Sequence, residues 1–166
     1  MHRHLMAMML TASSGGGGGG GGVGANGFTG KATITIDHTQ CGTADTTSFP
    51  LLFNETIAGL KSTGNGGSVE NANGYDIAFY SDSGLTTLMD FEIETWSATT
   101  GELVAWVRVP TLSHTVDTVL YLGYGKSSIT TDQSNRTGVW DANFHAVYHL
   151  AGTGYSTQVM PRKAPL

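Results

Sequence analysis

Three carboxylates alternate along one short stretch of the chain. Asp90, Glu92 and Glu94 are separated by single residues in the segment MDFEIETW, residues 89–96. Residues two apart in a β-strand lie on the same face, about 6.6–7 Å from each other. That spacing falls in the range of about 6.5–9.5 Å that separates the two carboxyl groups of inverting glycosidases. Carboxylate oxygens are also the ligands that calcium prefers.

These acids allow three interpretations. Glu92 and Glu94 could be the pair of a glycoside hydrolase, or Asp90 could join them in a calcium site, and we favour calcium over catalysis. The simplest interpretation is a solvated strand face, where like charges discourage edge pairing, with Arg108 or Lys61 as counter-charge from a neighbouring strand. We favour this third interpretation. We therefore predict that the chain is not an enzyme and has no cofactor, with calcium as the one possible exception.

Aromatic side chains are the second feature that could bind a ligand. Trp96, Trp106 and Trp140 could form a platform on which sugar rings stack. An aromatic side chain buries about 150–250 Å², so we expect all three tryptophans in the core of a small β domain. We also expect Ile93 to point inward with Trp106. Trp96 and Trp140 remain the candidates for glycan binding.

Cysteine and histidine give weaker signals. Cys41 is the only cysteine, which excludes an intramolecular disulfide. His38 lies three residues before it and could activate a thiolate, but we interpret it as a chance neighbour. Two pairs have spacings that suit a metal but lack a third ligand nearby: His114 with Asp117, and His145 with His149. We predict no metal site at either pair.

Period-two alternation predicts the elements that would position these residues. In KATITID, residues 31–37, Ala32, Ile34 and Ile36 share one face, which is typical of a half-buried strand. Further strands are predicted at 49–54, 75–81, 89–96, 102–109 and 116–124. Pro50 places the second strand's start at that residue or puts the strand at a sheet edge. Short connections predict antiparallel neighbours in a meander. The fold class is thus all-β, an antiparallel β-sandwich or jelly-roll-like domain.

Composition agrees with that class. Charged residues make up 13% of the 166 residues and 24 are glycine, unlike a helical bundle. The 8 Lys and Arg against 13 Asp and Glu give no electrostatic basis for nucleic-acid binding. No stretch approaches the roughly 18 apolar residues that span a membrane. We therefore predict neither a nucleic-acid partner nor membrane insertion.

The N-terminal segment has a composition of its own. Gly15 to Gly22 form an uninterrupted run of eight glycines, typical of a flexible linker, although such a run could also pack as extended chains in an oligomer. The apolar stretch before it is short for a signal peptide. We predict an anchor peptide and glycine-rich arm over residues 1–27, followed by a β-sandwich domain over 28–138. The predicted anchoring residues are Leu5, Met6, Met8, Met9, Leu10, Gly15 and Gly22.

Five blocks of sequence together resemble one known family: ATITIDHTQ, FPLLFN, NGYDIAFYSDSGLTTLMDFEIETW, GELVAWVRVPTLSHTVDTVLYLGYG and TGVWDANFHAVYHLAG. This is the domain-of-unknown-function 2341 family, found in tailed-phage virion proteins and bacterial surface proteins. The resemblance covers about residues 28–152. In such proteins a concanavalin A-like lectin/glucanase domain follows, and its start resembles VWDANFHAVYHLAG. Residues 139–166 are accordingly interpreted as a truncated lectin-like start with a polar tail.

The resemblance implies a non-catalytic β module. We expect a structural or adhesion module of a phage particle, such as a fibre, tail accessory or head decoration protein, located in the virion. Its partners would be other virion proteins, bound through the N-terminal arm, and further copies of itself in a homo-oligomer. The alternative is a carbohydrate-binding module of a bacterial surface protein, extracellular or on the cell surface, that binds host-surface glycans. A glycoside hydrolase is the remote alternative.

Overall fold

Antiparallel β-strands dominate the computed structural model, which describes residues 10–14, 24–140, 144 and 147. The strands are β1 (Leu10–Ser14), β2 (Gly30–Ile36), β3 (Thr46–Thr56), β4 (Ile77–Tyr80), β5 (Phe91–Trp96), β6 (Glu102–Leu112) and β7 (Thr118–Tyr124). One short helix, α1 (Arg136–Val139), follows them, and single turns of 3₁₀ helix lie in the connections. The predicted all-β sandwich class is confirmed. Within the described ranges, no helix is long and apolar enough to cross a membrane.

The strands form two sheets. The first sheet has the order β1-β2-β7-β4 and the second has the order β3-β6-β5, with every pairing antiparallel. The short connection between β5 and β6 joins neighbours, as predicted. The connection 113–117 does not, because β6 and β7 belong to different sheets. The prediction of a continuous meander is therefore wrong at this point, where a five-residue loop crosses between the sheets.

The core lies between the inner faces of the two sheets. Ala32, Ile34 and Ile36 of β2 are fully buried, which confirms the predicted alternation. Three phenylalanines connect the sheets, with Phe53 and Phe91 each about 5.5 Å from Phe79, ring centre to ring centre. Burying side chains of this size stabilises a fold by about 1.5–3 kcal/mol each. This apolar layer holds the strands in place.

The β6 side chains that face the core do not include Trp106, which we expected there. Leu103, Ala105, Val107 and Val109 are buried, so the even-numbered residues between them lie on the other face. Trp106 is one of these and is half-buried on the outer face of the second sheet. The predicted inward orientation is wrong for Trp106, because the alternation of the strand places the odd-numbered aliphatic residues in the core. Ile93 packs against the core as predicted.

Strand β3 is the edge strand that Pro50 allows. It pairs with β6 over residues 46–56, with Pro50 opposite Arg108, and it is the last strand of the second sheet on that side. Proline lacks a backbone N–H and is confined to edges and bulges within sheets. Of the two alternatives for this residue, the edge strand is confirmed.

Two loops cover the outer face of the first sheet beside β4, and we name residues 24–29 and 82–88 the first-sheet cover. Ala78 and Gly123 lie directly opposite each other there. A Cβ atom at Gly123 would lie 3.0 Å from a Leu85 methyl carbon and 3.2 Å from the Phe28 ring. Phe28 also meets Tyr80 edge-on at 5.5 Å. Small residues in the sheet therefore make room for large ones above it.

Strand β1 precedes the glycine run in sequence and pairs with β2. Leu10 is opposite Ile36 and Ser14 is opposite Ala32, so β1 extends the edge of the first sheet. The glycine run thus lies, along the chain, between two antiparallel neighbours. Of the predicted anchoring residues, Leu10 belongs to β1. The others lie outside the described residues: Leu5, Met6, Met8, Met9, Gly15 and Gly22.

Candidate functional site

The outer face of the second sheet brings most of the predicted site residues together. Strand β5 supplies Glu92 and Glu94, Asp90 lies directly before it, β6 supplies Trp106 and Arg108, and α1 packs against both strands. Directly after α1, Trp140 lies over the sheet. We name this surface the acidic–aromatic face, and it consists of Asp90, Glu92, Glu94, Trp106, Arg108, Trp140 and Phe144.

Glu92 is the buried acid of this face. Its side chain lies opposite Trp106 across the strands and the residue is only 4% exposed. The Trp140 indole N–H donates to Glu92 Oε2 at 3.1 Å, and Arg136 Nε lies 4.0 Å from Glu92 Oε1. Burial of a carboxylate is tolerated when it is paired and hydrogen-bonded. The expected solvated strand face is therefore wrong at Glu92, because a tryptophan and an arginine cover it.

Glu94 occupies a break in the strand. Ile93 pairs with Ala105 and Thr95 pairs with Val104, so Glu94 is the extra residue of a β-bulge. The Trp106 indole N–H donates to Glu94 Oε2 at 3.1 Å. A simple two-residue period did not predict this bulge, since bulges re-aim one side chain without changing the hydrophobic pattern around them.

Asp90 connects the sheet to the segment that carries α1. It accepts a hydrogen bond from Asn135 Nδ2 at 2.7 Å and lies 3.8 Å from an Arg108 nitrogen. Arg108 is thus the counter-charge for this acid, one of the two suggested by sequence. Arg108 also donates to the Gly138 carbonyl at 3.1 Å and to Ser48 Oγ at 2.9 Å. The guanidinium therefore joins β3, β6 and α1.

An aromatic layer lies above the acids. The ring of Trp140 is 5.1 Å from Trp106 and 5.2 Å from Phe144, centre to centre. Phe144 is 44% exposed, and so is Leu52, which lies opposite Trp106 on β3. The expected core position is wrong for Trp106 and Trp140, which are half-buried on the outer face. Their rings lie between buried carboxylates and an apolar, partly exposed surface.

Trp96 lies apart from this layer. Its indole N–H donates to the Leu60 carbonyl at 2.8 Å, and its ring packs against the core and beside Gly74. Gly74 has a φ of 71°, and a side chain there would meet the indole at 2.8 Å. The structure therefore separates the two tryptophans that we named as glycan-binding candidates.

The group of side chains best placed for a metal is not the predicted acid triple. Within the described part of the chain, ligand atoms of Asp37, His38 and Asp117 lie within 4.8 Å of one another. On the acidic–aromatic face, one oxygen of Glu92 and one of Glu94 already accept indole hydrogen bonds. The calcium site at Asp90, Glu92 and Glu94 stays a prediction.

The histidine pairs are arranged differently from their sequence spacing. His114 bonds Asp45 rather than Asp117, with Nδ1 2.6 Å from the Asp45 Oδ1 atom. Asp117 instead bonds His38. His145 and His149 lie outside the described residues. Sequence spacing alone missed Asp45, which is distant in the chain.

Cys41 lies in a setting that disfavours a nucleophile. It is buried, and its thiol donates to the Asp37 carbonyl at 3.3 Å. Burial raises the pKa of the Cys41 thiol, and the carboxylates of Asp37 and Asp117 raise it further. Reactive cysteines need the opposite shift.

A small cavity of about 120 Å³ lies beside the acidic–aromatic face. Its walls include Tyr75, Ile93, Asp132 and Arg136, and Arg136 also approaches Glu92. Pockets for drug-sized ligands are larger, about 300–1,000 Å³. The site can therefore admit a small polar group rather than a whole cofactor. Nothing in the sequence pattern indicated this cavity, because loop residues distant in the chain line it.

Comparison with known proteins gives one match, to the model of a protein family. No curated protein matches the chain, and no solved structure matches it. The model of one family, described as Domain of unknown function (DUF2341), matches residues 73–148. The match runs from just before β4 to beyond α1, so it contains the whole acidic–aromatic face and is narrower than the expected 28–152. Over residues 73–148, the chain is similar to the DUF2341 family.

Proposed function

We propose that the chain is a non-catalytic structural or adhesion module of a phage particle, attached through its N-terminal segment. The non-catalytic part of the proposal rests on the hydrogen bonds that the three acids accept. Each accepts a hydrogen bond from a neighbouring side chain: Asp90 from Asn135, Glu92 from Trp140, and Glu94 from Trp106. A glycosidase needs one carboxylic acid and one carboxylate open to the substrate. Asp90 and Glu92 instead hold the segment after β7 on the sheet, and Glu94 holds the Trp106 indole.

The particle context comes from the resemblance to tailed-phage virion proteins. Fibres, tail accessory proteins and head decoration proteins are all compatible with a small β module. Phage proteins assemble in the host cytoplasm and do not need disulfides, which agrees with a single, buried cysteine. A homo-oligomer is part of this proposal, since virion modules are commonly symmetric. Light scattering after size-exclusion chromatography measures the mass, and a monomer at all concentrations would contradict that part.

Attachment through the N-terminal segment is tested with two deletions. Removing residues 1–9 keeps β1 in the sheet, whereas removing residues 1–22 removes β1 as well. We expect both deletions to abolish co-sedimentation with purified particles of the source phage. Circular dichroism should report a folded β domain for the shorter deletion. Full occupancy of particles by either truncated chain would contradict attachment through this segment.

A carbohydrate-binding module is the second candidate, and the aromatic layer favours it. Trp106, Trp140 and Phe144 form a partly exposed apolar surface above acidic hydrogen-bond acceptors. Aromatic faces beside polar groups are suited to sugar rings, which have apolar faces and polar edges. Of the two tryptophan candidates, Trp140 lies in this layer and Trp96 does not. We therefore place a glycan, if one binds, at Trp140.

A glycan array separates the two candidates. The chain is tested with and without calcium, together with Trp140→Ala and with Trp96→Ala as the matched tryptophan control. Carbohydrate binding predicts signals that Trp140→Ala removes and Trp96→Ala keeps. An array without any signal, in both buffers, would eliminate glycan binding and leave the structural module as the proposal.

A further inference from the structure

Two loops at one end of the sandwich are connected by a pair of equivalent contacts. The loop 37–45 joins β2 to β3, and the loop 113–117 joins β6 to β7. Each of these loops crosses from one sheet to the other. Because β2 pairs with β7 and β3 pairs with β6, the two loops run side by side at the same end.

Each loop carries a histidine near its start and an aspartate at its end. In the first contact, both the backbone N–H and Nδ1 of His38 meet Oδ1 of Asp117, at 3.0 and 2.6 Å. In the second contact, the same two groups of His114 meet Oδ1 of Asp45, also at 3.0 and 2.6 Å. Each of the two loops therefore contributes its histidine to one contact and its aspartate to the other.

The equivalence extends to the strand register. Each histidine comes two residues after a strand ends, at Ile36 or Leu112. Each aspartate immediately precedes the strand that pairs there, since Ile36 is opposite Thr118 and Leu112 is opposite Thr46. The same local geometry thus occurs twice, once on each sheet, and the loops link the two occurrences.

We propose that His38–Asp117 and His114–Asp45 form a reciprocal latch that closes this end of the sandwich over Cys41. Cys41 lies in the latched loop 37–45 and is buried as part of the core. Its burial requires the loop to stay against the sheets. Opening the latch therefore exposes a thiol that is otherwise covered.

The titrating group that we consider in the latch is Asp45. The backbone N–H of His114 is the main cause that lowers the pKa of Asp45 from its ordinary value of 3.8. A carboxyl with a lowered pKa contributes stability above its ordinary pKa and loses it as pH falls through the lowered value. The His114–Asp45 contact should therefore hold above pH 3.8 and weaken as the pH falls through the lowered pKa of Asp45.

Each contact includes a donor that does not titrate, because the backbone N–H of the histidine donates at any pH. The other titratable groups facing the first contact are Asp37 and Cys41. The second contact faces the Ser113 hydroxyl.

The test measures how fast Cys41 reacts with 4,4′-dithiodipyridine, a disulfide reagent that works in acid. At pH 7 we expect Asp117→Ala and Asp45→Ala to react about two- to fivefold faster than the parent, the size expected for an exposed ion pair. Asp117→Asn keeps an acceptor oxygen for the His38 backbone N–H. Its reaction rate should therefore lie between those of the parent and Asp117→Ala. Glu70→Ala is the matched control at an exposed acid and should react like the parent.

Three outcomes would overturn the proposal. Unchanged rates in both aspartate variants would show that the contacts do not hold the loop. Urea denaturation measures the global stability of the same variants. Reaction rates that rise only in proportion to the loss of that stability would show that the substitutions destabilise the whole domain rather than open the latch. A double variant that accelerates by the full product of the single effects would show two independent contacts, because mutually reinforcing contacts give less than that product. For the acid dependence of the Asp45 contact, rates normalised to glutathione should rise below pH 3.8 in the parent and change less over the same range in Asp45→Ala.

Discussion

The outer faces of the two sheets are both covered, but by different kinds of contact. On the first sheet, Phe28 and Leu85 pack into a space that Gly123 leaves open. On the second sheet, Trp140 lies over Glu92 and is oriented by a hydrogen bond to it. The first-sheet cover is held by close packing and by the burial of apolar surface away from water. The cover of the acidic–aromatic face depends on directional bonds between polar groups.

This difference has consequences for function. A cover held by packing is costly to remove, since it exposes a large apolar area. A cover held by a few hydrogen bonds can exchange them for bonds to water or to a partner at a smaller net cost. The acidic–aromatic face is also the part that lies wholly inside the family match. We therefore expect the first-sheet cover to control stability and the second sheet's outer face to control binding.

The largest effect should come from Phe28→Ala. Phe28 is fully buried and contacts Tyr80, so its truncation should lower the free energy of unfolding by about 3–5 kcal/mol. Urea denaturation measures this change. Phe144→Ala, at a ring that is half exposed on the other sheet, is the control and should cost about 1 kcal/mol or less. Equal losses in the two variants would remove the distinction between the covers.

A smaller effect is expected for Glu92→Leu. This change removes the acceptor of the Trp140 indole N–H while keeping the volume, and should cost about 1–3 kcal/mol. Tryptophan fluorescence should shift to the red, because Trp140 is no longer held against the sheet. Glu102→Ala, at an exposed position on β6, serves as the control. An unshifted spectrum with parental stability would mean that packing alone holds Trp140.

Gly123→Ala tests the space under the first-sheet cover. The new methyl group would lie 3.0 Å from Leu85 and 3.2 Å from Phe28, tighter than ordinary contact. Overpacking of this kind costs roughly 1–3 kcal/mol, and a single methyl belongs at the lower end. Gly64→Ala is the control, since a Cβ there meets nothing within 4 Å. A neutral Gly123→Ala would show that the cover adjusts freely.

The smallest effect concerns acid and the loop of the first-sheet cover. The Thr87 backbone N–H is the main cause that lowers the pKa of Asp82 below its ordinary 3.8, with further bonds from Thr86. This contribution is present above pH 3.8 and is lost as pH falls through the lowered pKa. The melting temperature should therefore fall less between pH 5 and pH 3 in Asp82→Asn than in the parent. Identical slopes would contradict this role of Asp82.

The sequence predicted the strands well because their periodicity is local. The alternation in 31–37 reports directly which side chains of β2 face the core, and the structure buries Ala32, Ile34 and Ile36. The assignment of each strand to one sheet or the other does not depend on local sequence. The loop 113–117 is as short as a hairpin connection, yet it crosses between sheets, and no property of the loop itself distinguishes these alternatives.

The candidate site was predicted in part. Sequence identified Asp90, Glu92 and Glu94 as neighbours and named Arg108 as a counter-charge. It missed the indole donors, because Trp140 reaches Glu92 from 48 residues away. It also missed the bulge at Glu94 and the His114–Asp45 contact, which depend on the relative position of strands. Side-chain chemistry is visible in sequence, whereas the partner of each group is set by topology.

The pairing of β1 with β2 gives the domain a mechanical property. Strand β1 begins at residue 10 and β2 begins at residue 30, so β1 and the segment that follows it lie between the N-terminus and the rest of the sheet. If a load reaches the domain through its N-terminus, peeling β1 from β2 releases the chain up to residue 23, ahead of the buried first-sheet cover, and lengthens the tether by at most roughly 50 Å. The inner faces of the other strands stay together during that extension. A five-residue strand would then act as an extensible link that yields before the core does.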